Sequence, residues 1–145
     1  MNLFGSVKVD QILGYYAAGT TKRVSDIIDM QNYEGVIFVA ELGAITEAAT
    51  LDVFVEQNII NSVTGMARVA TTTVHTATAA DAALTKSCIV VDIYKPRERY
   101  LQCNITPAVQ NAVILGITAI RYNGRVKPDT TGPLKNTVLV SPAEA

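Results

Sequence analysis

Between Lys22 and Tyr122 the chain is a succession of short runs rich in β-branched and aromatic residues, set apart by Gly, Asn, Pro and small polar residues. That is the punctuation of strands rather than of helices. "KRVSDIIDM" (22–30), "GVIFVAEL" (35–42), "TLDVFVEQN" (50–58), "MARVATTTVHT" (66–76), "SCIVVDIY" (87–94), "RYLQCNIT" (99–106) and "NAVILGITAIRY" (111–122) each read as a strand, with "QILGYY" (11–16) and "NTVLVS" (136–141) as weaker candidates. Only "AADAALTK" (79–86) suggests a helical turn. Seven to nine strands without a long helix predict an all-β fold, an antiparallel β-sandwich or jelly roll. A chain of 145 residues is expected to form one domain, with extended terminal arms.

Alternation within the run from Ser87 to Thr106 predicts a hairpin. If Lys95–Arg99 form a five-residue loop, Tyr94 faces Tyr100, and Ile89, Val91 and Ile93 share one face with Leu101, Cys103 and Ile105. A four-residue loop would instead set Asp92 opposite Leu101 and Asn104 opposite Ile89, so the apolar pattern selects the longer one. The same alternation puts Cys88 on the mixed face and Cys103 on the core face, so the two thiols are not expected to bridge. Unbridged thiols suit a chain kept in a reducing compartment.

If "TPAVQ" (106–110) is a turn, the strand 111–122 runs back beside 99–106 and overshoots it. Arg121, Arg125 and Lys127 then project past Arg99 to meet Lys95 and Arg97. These six residues form the candidate partner-contact surface; the bland reading of the same loop is a solvated tip.

Charge sharpens this picture. Only 17% of residues are charged, against about 25% in an average protein, which leans towards a surface partly covered by partners. Net charge is −1, but residues 1–80 hold four Lys/Arg against eight Asp/Glu, and residues 81–145 hold eight against five. Such a split suits complementary association better than nucleic-acid binding, which wants a strongly basic domain. No apolar run approaches the ~18 residues of a membrane helix, and the N-terminus lacks the basic start of a signal peptide. Pro128, Pro133, Pro142 and Gly132 make residues 127–145 poor at central sheet pairing, so this segment is expected as a loose terminus or an arm over a neighbour.

Candidate chemistry is sparse. The one histidine, His75, sits in "TTTVHTAT" without a Gly-x-Ser-x-Gly elbow or an active-cysteine context, and reads as a strand residue with a bonded or exposed ring. Glycine patterns for phosphates and ligand spacings for zinc or calcium are missing. No cofactor and no catalysis are expected.

The segment "VVDIYKPRERYLQCNITPAVQNAVILGITAIRYNGRVKPDTTG" (90–132) resembles small tailed-phage virion proteins, through Asp92, Tyr94, Pro96, Arg99, Tyr100, Gln110, Asn111, Ala112, Gly116, Tyr122, Lys127 and Pro128. "DMQNYEGVIFVAELG" (29–43) is similar to an early strand of the same proteins, whereas 57–81 matches no pattern of theirs. The resemblance implies a capsid decoration (cement) protein on the virion exterior, assembled in the host cytoplasm. Such a protein oligomerises, here as a homodimer or homotrimer, and bridges subunits of the major capsid protein. Rival readings are another virion part (a head-fibre base, tail component or receptor-binding module), a nucleic-acid-binding β-barrel using the basic end, and a hydrolase around His75.

Overall fold

The computed structural model describes residues 3–69, 73–125 and 131–139. Among the described residues, eleven strands form two antiparallel sheets packed face to face, a β-sandwich as the strand pattern predicts. The first sheet holds β1 (Val7–Leu13), β2 (Tyr16–Gly19), β5 (Gly35–Ile45), β9 (Ser87–Tyr94) and β11 (Ala112–Tyr122), in the order β1-β11-β5-β9, with β2 also on β11. The second holds β3 (Arg23–Val24), β4 (Ile28–Asp29), β6 (Thr50–Asn58), β7 (Ala67–Arg68), β8 (Thr73–Thr76) and β10 (Tyr100–Ala108), centred on the β10–β6 pair. The remaining regular elements are a 3-10 turn at Phe4–Ser6 and the one-turn helix α1 (Ala79–Ala82). Thr78 and Asp81 cap α1 reciprocally, each side chain taking the other's backbone N–H.

The expected hairpin across Lys95–Arg99 does not form. The five-residue loop is there, but β9 pairs with β5 in one sheet and β10 with β6 in the other, so the loop carries the chain between sheets. The strand 111–122 likewise pairs with β1, β2 and β5, not with β10. The face assignments survive, because alternation fixes which side chains point inward whatever the hydrogen-bonded partner. Leu101, Cys103 and Ile105 are fully buried, and Ile89, Val91 and Ile93 pack against the same core from the opposite sheet. Val36, Phe38, Ala40 and Leu42 of β5 fill the space between them.

The weaker candidate 11–16 divides at Gly14–Tyr15 between β1 and β2, and two of the main predicted strands are also broken. In 22–30, Ser25 takes the place of a ladder residue: its N–H donates to the Cys103 carbonyl and its Oγ accepts from the Cys103 N–H. Asp26 then turns its N–H to the Ile12 carbonyl in the other sheet, so the segment stitches the two layers. In 66–76, β7 and β8 both pair with β6, yet in registers that differ by two residues, with 70–72 lying outside the described residues. The predicted turn at 106–110 is also displaced, since β10 continues to Ala108 through Pro107. Odd residues of β10 direct their N–H groups away from β6, and β3 pairs only as far as Ile105. The missing N–H of Pro107 therefore faces a side where, among the described residues, no strand needs it. The chain reverses instead at Val109, whose φ is 67°.

Of the expected C-terminal arm (127–145), residues 131–139 are described. They carry no strand, so "NTVLVS" is not one over 136–139, and Leu134 and Leu139 are exposed. Gly132, at φ 111°, lies against Val9 and Asp10 so closely that a Cβ would fall 2.4 Å from the Val9 carbonyl oxygen.

Cys88 is exposed and Cys103 buried, both free, as the face assignment requires. Burial pushes the Cys103 thiol up to about 12. Under native conditions an alkylating reagent is expected to label Cys88 alone, with Cys103 reacting only once the protein unfolds. Mass spectrometry of labelled peptides checks this, and equal labelling of both thiols in the folded protein would contradict the core assignment.

Candidate functional site

One end of the sandwich is built from three loops: 30–34 before β5, 95–99 between β9 and β10, and 123–125 after β11. Backbone bonds hold them together. Lys95 N–H donates to the Glu34 carbonyl at 2.8 Å, Met30 N–H to Arg99 at 2.8 Å, and Arg125 N–H to Asn32 at 2.8 Å. Asn32, Lys95 and Asn123 adopt positive φ of 71°, 50° and 53°, which tightens each turn at the cost of some backbone strain. The loops enclose a groove of about 530 Å³, its cations being Lys95, Arg97, Arg99 and Arg125 and its anions Glu34 and Glu98.

Four of the six residues expected to converge thus line one concavity. They meet because β9 and β11 flank β5, with Gly35 paired to both Tyr94 and Tyr122, and not because 111–122 runs beside 99–106. Gly35 itself is required by the Tyr122 ring, which covers it so closely that a Cβ would sit 2.3 Å from ring atoms. The Tyr122 hydroxyl donates to Asp92 at 2.8 Å, and its pKa is pushed up to about 12 by burial first and by Asp92 second.

The cations differ in what they are free to do. Arg99 is committed: its guanidinium forks onto Asp29 at 2.8 and 2.7 Å and also donates to Gln31. That fork, aided by the Gln31 N–H against a smaller push from burial, holds the Asp29 carboxyl below its usual range. Its stabilising effect is present above pH ~4 and fades as pH falls towards the lowered value. Lys95 lies over the Tyr94 ring at 5.2 Å. Arg97 and Arg125 make no ion pair among the described residues. Lys127 lies outside the described residues.

Arg121 has a different place from the one expected: it is 7% exposed and points between the sheets. The cause is at Gly116, where the β11 register shifts and the inward positions change from Ala112 and Ile114 to Ile117, Ala119 and Arg121. A Cβ on Gly116 would come within 2.7 Å of the Leu13 carbonyl oxygen, so the close approach of β1 needs glycine there. Arg121 pairs with Asp10 on β1, donates to the Asp29 carbonyl on β4 at 2.6 Å, and lies 5.1 Å from the Tyr33 ring. It joins the two sheets behind the groove and is no part of the exposed surface.

His75 sits elsewhere, on β8, with Nε2 3.0 Å from Asp81. Asp81 is already held by the Thr78 N–H, which with His75 keeps its carboxyl below the usual range. The pair thereby fastens β8 to the cap of α1, and both residues line a cavity of about 340 Å³ together with Leu42, Ile45, Ser87, Cys88 and Ile89. Among the described residues no cluster of His, Cys, Asp and Glu could hold a metal ion, and no helix is long and apolar enough to cross a membrane.

The arrangement defines a two-sheet antiparallel sandwich that presents a mixed-charge groove at one end. The chain matches no protein-family model and no curated protein. Among solved structures it is similar to dimeric latent PorU from Porphyromonas gingivalis, with 10% identity and a TM-score of 0.46, over 81% of this chain and 12% of that one.

Replacing Arg121 with Met is expected to cost about 3 kcal/mol, the low end for a broken buried pair because Asp10 keeps some contact with water. Urea unfolding measures this, and adding Asp10→Asn should recover part of the loss. A loss below about 1 kcal/mol would show that the strut is not needed.

Proposed function

We propose that this chain is a non-catalytic structural protein of a tailed-phage particle, a decoration protein that self-associates and bridges major capsid protein subunits on the shell exterior. The observation that carries this reading is that the two segments with phage-virion resemblance build the groove together. Arg99 of the later segment grips Asp29 and Gln31 of the earlier one, Lys95 bonds to Glu34, and Tyr122 covers Gly35. Arg97, Lys95 and Arg125 supply positive charge from loops whose backbone is already fixed, which limits the ordering cost of meeting a partner. Glu34 and Glu98 in the same groove favour a mixed-charge protein surface over a phosphate backbone. The exposed Leu134 and Leu139 offer apolar surface that a neighbouring subunit would cover. Several weak contacts made by one oligomer would add up through avidity.

The test is localisation on purified particles. A copy number near that of the major capsid protein supports decoration; a few copies per particle, confined to the tail or a vertex, points to another virion part, and absence from particles refutes the proposal.

A further inference from the structure

The four sheet edges are not equally protected. In the second sheet both edges are broken into short pieces, β3 and β4 on one side and β7 and β8 on the other. In the first sheet, β1 has Gly132 close against Val9 and Asp10. β9 differs: eight residues, no proline, no bulge, and an unshifted register with β5 from Ser87 to Tyr94. Among the described residues no strand pairs with its other side. A long regular edge of this kind is a ready template for another strand.

The polarity of that edge can be read from the ladder. Lys95 N–H bonds to the Glu34 carbonyl, so the odd residues of β9 face β5 and the even residues turn their N–H and C=O groups to the open side. Cys88, Val90, Asp92 and Tyr94 are therefore the bonding residues of the edge, and they are also its exposed side chains. A strand meeting this edge through backbone bonds must set its own bonding residues opposite them.

We propose that the occupant is β9 of a second copy, paired antiparallel about a two-fold axis at Ile89. This register sets the bonding residues Cys88 and Val90 opposite each other and brings Asp92 level with Lys86, which immediately precedes β9 in the same even phase. Charge selects it. Placing the axis at Val90 leaves Asp92 opposite Cys88, placing it at Val91 leaves Asp92 opposite Val90, and placing it at Asp92 opposes two carboxylates. Of these, the axis at Ile89 alone brings Lys86, at the entrance to β9, level with Asp92 of the other copy, twice over, and facing opposite charges are stabilising. The result is one continuous sheet through both copies, the closed isologous contact of a dimer. This deepens the proposed self-association without depending on attachment to a particle, so either can fail while the other stands.

Sedimentation of the purified protein over a dilution series tests it. The wild-type chain is expected to dimerise. Lys86→Glu, which leaves the Asp92–Tyr122 bond in place, is expected to weaken the dimer roughly tenfold by opposing carboxylates twice. Asp92→Lys should weaken it similarly, and Lys86→Asp combined with Asp92→Lys should restore it. Independently, Val90→Cys should give an oxidised dimer linked between Cys88 and the new cysteine, mapped by mass spectrometry, since opposed bonding residues lie about 5.5 Å apart at Cα. A monomer at every concentration, a dimer indifferent to Lys86→Glu, or oxidised Val90→Cys protein lacking that link would each overturn the proposal.

Discussion

A buried guanidinium must be answered on several sides at once, and meeting the needs of Arg121 shapes one whole end of this protein. Asp10 supplies the opposing charge from β1 and the Asp29 carbonyl supplies an acceptor from β4, with Tyr33 placed over the group. The side chain thus joins strands of both sheets at the end where the groove opens. Asp29 is used twice, by its carbonyl inside and by its carboxylate outside, where Arg99 closes on it. The frame of the groove is therefore continuous with the packing of the sandwich, whereas the side chains of Lys95, Arg97 and Arg125 stand on that frame without holding it up. Such a division suits recognition, because rigid support lowers the cost of ordering charged side chains against a partner.

The strand pattern made the sandwich, the inward faces of β9 and β10 and the fate of both cysteines legible from the chain alone. Those features depend on alternation, which is local. Pairing partners are not local, and here they went astray: three strands consecutive in sequence, β9, β10 and β11, fall in alternate sheets, so the two predicted hairpins are crossings between layers. The basic loops still converge because neighbours of β5 end together, a route that sequence adjacency does not reveal. Arg121 is expected at the exposed end only if 111–122 pairs with 99–106 and overhangs it, and that pairing does not form. Counting inward positions steadily from Ile114 turns residue 121 outward, and the shift at Gly116 turns it in. That glycine inside a strand was the available signal, since glycine there often marks a bulge or a close backbone approach. Ser25, which stands in for a ladder residue in mid-strand, carried no comparable mark.

The two ends of the account meet in the first sheet. Its middle strands, β5 and β11, deliver Glu34 and Arg125 to the groove, and its edge strand β9 leads into Lys95 and Arg97. Two copies joined along β9 would hold two grooves in a fixed mutual orientation, which is what a protein clamping a repeating surface needs. Self-association and partner binding would then be properties of one sheet, the edge serving the first and the loops the second.

The proposal turns on the side chains of Arg97 and Arg125 serving a partner and not the fold. Its most direct measurement is the binding of purified protein to expanded capsid shells that lack it, comparing the wild-type chain with an Arg97→Glu/Arg125→Glu variant alongside their thermal unfolding. The account predicts that the variant melts within a few degrees of the wild type yet loses binding by an order of magnitude or more. Undiminished binding by the folded variant, or its collapse on substitution, would contradict it.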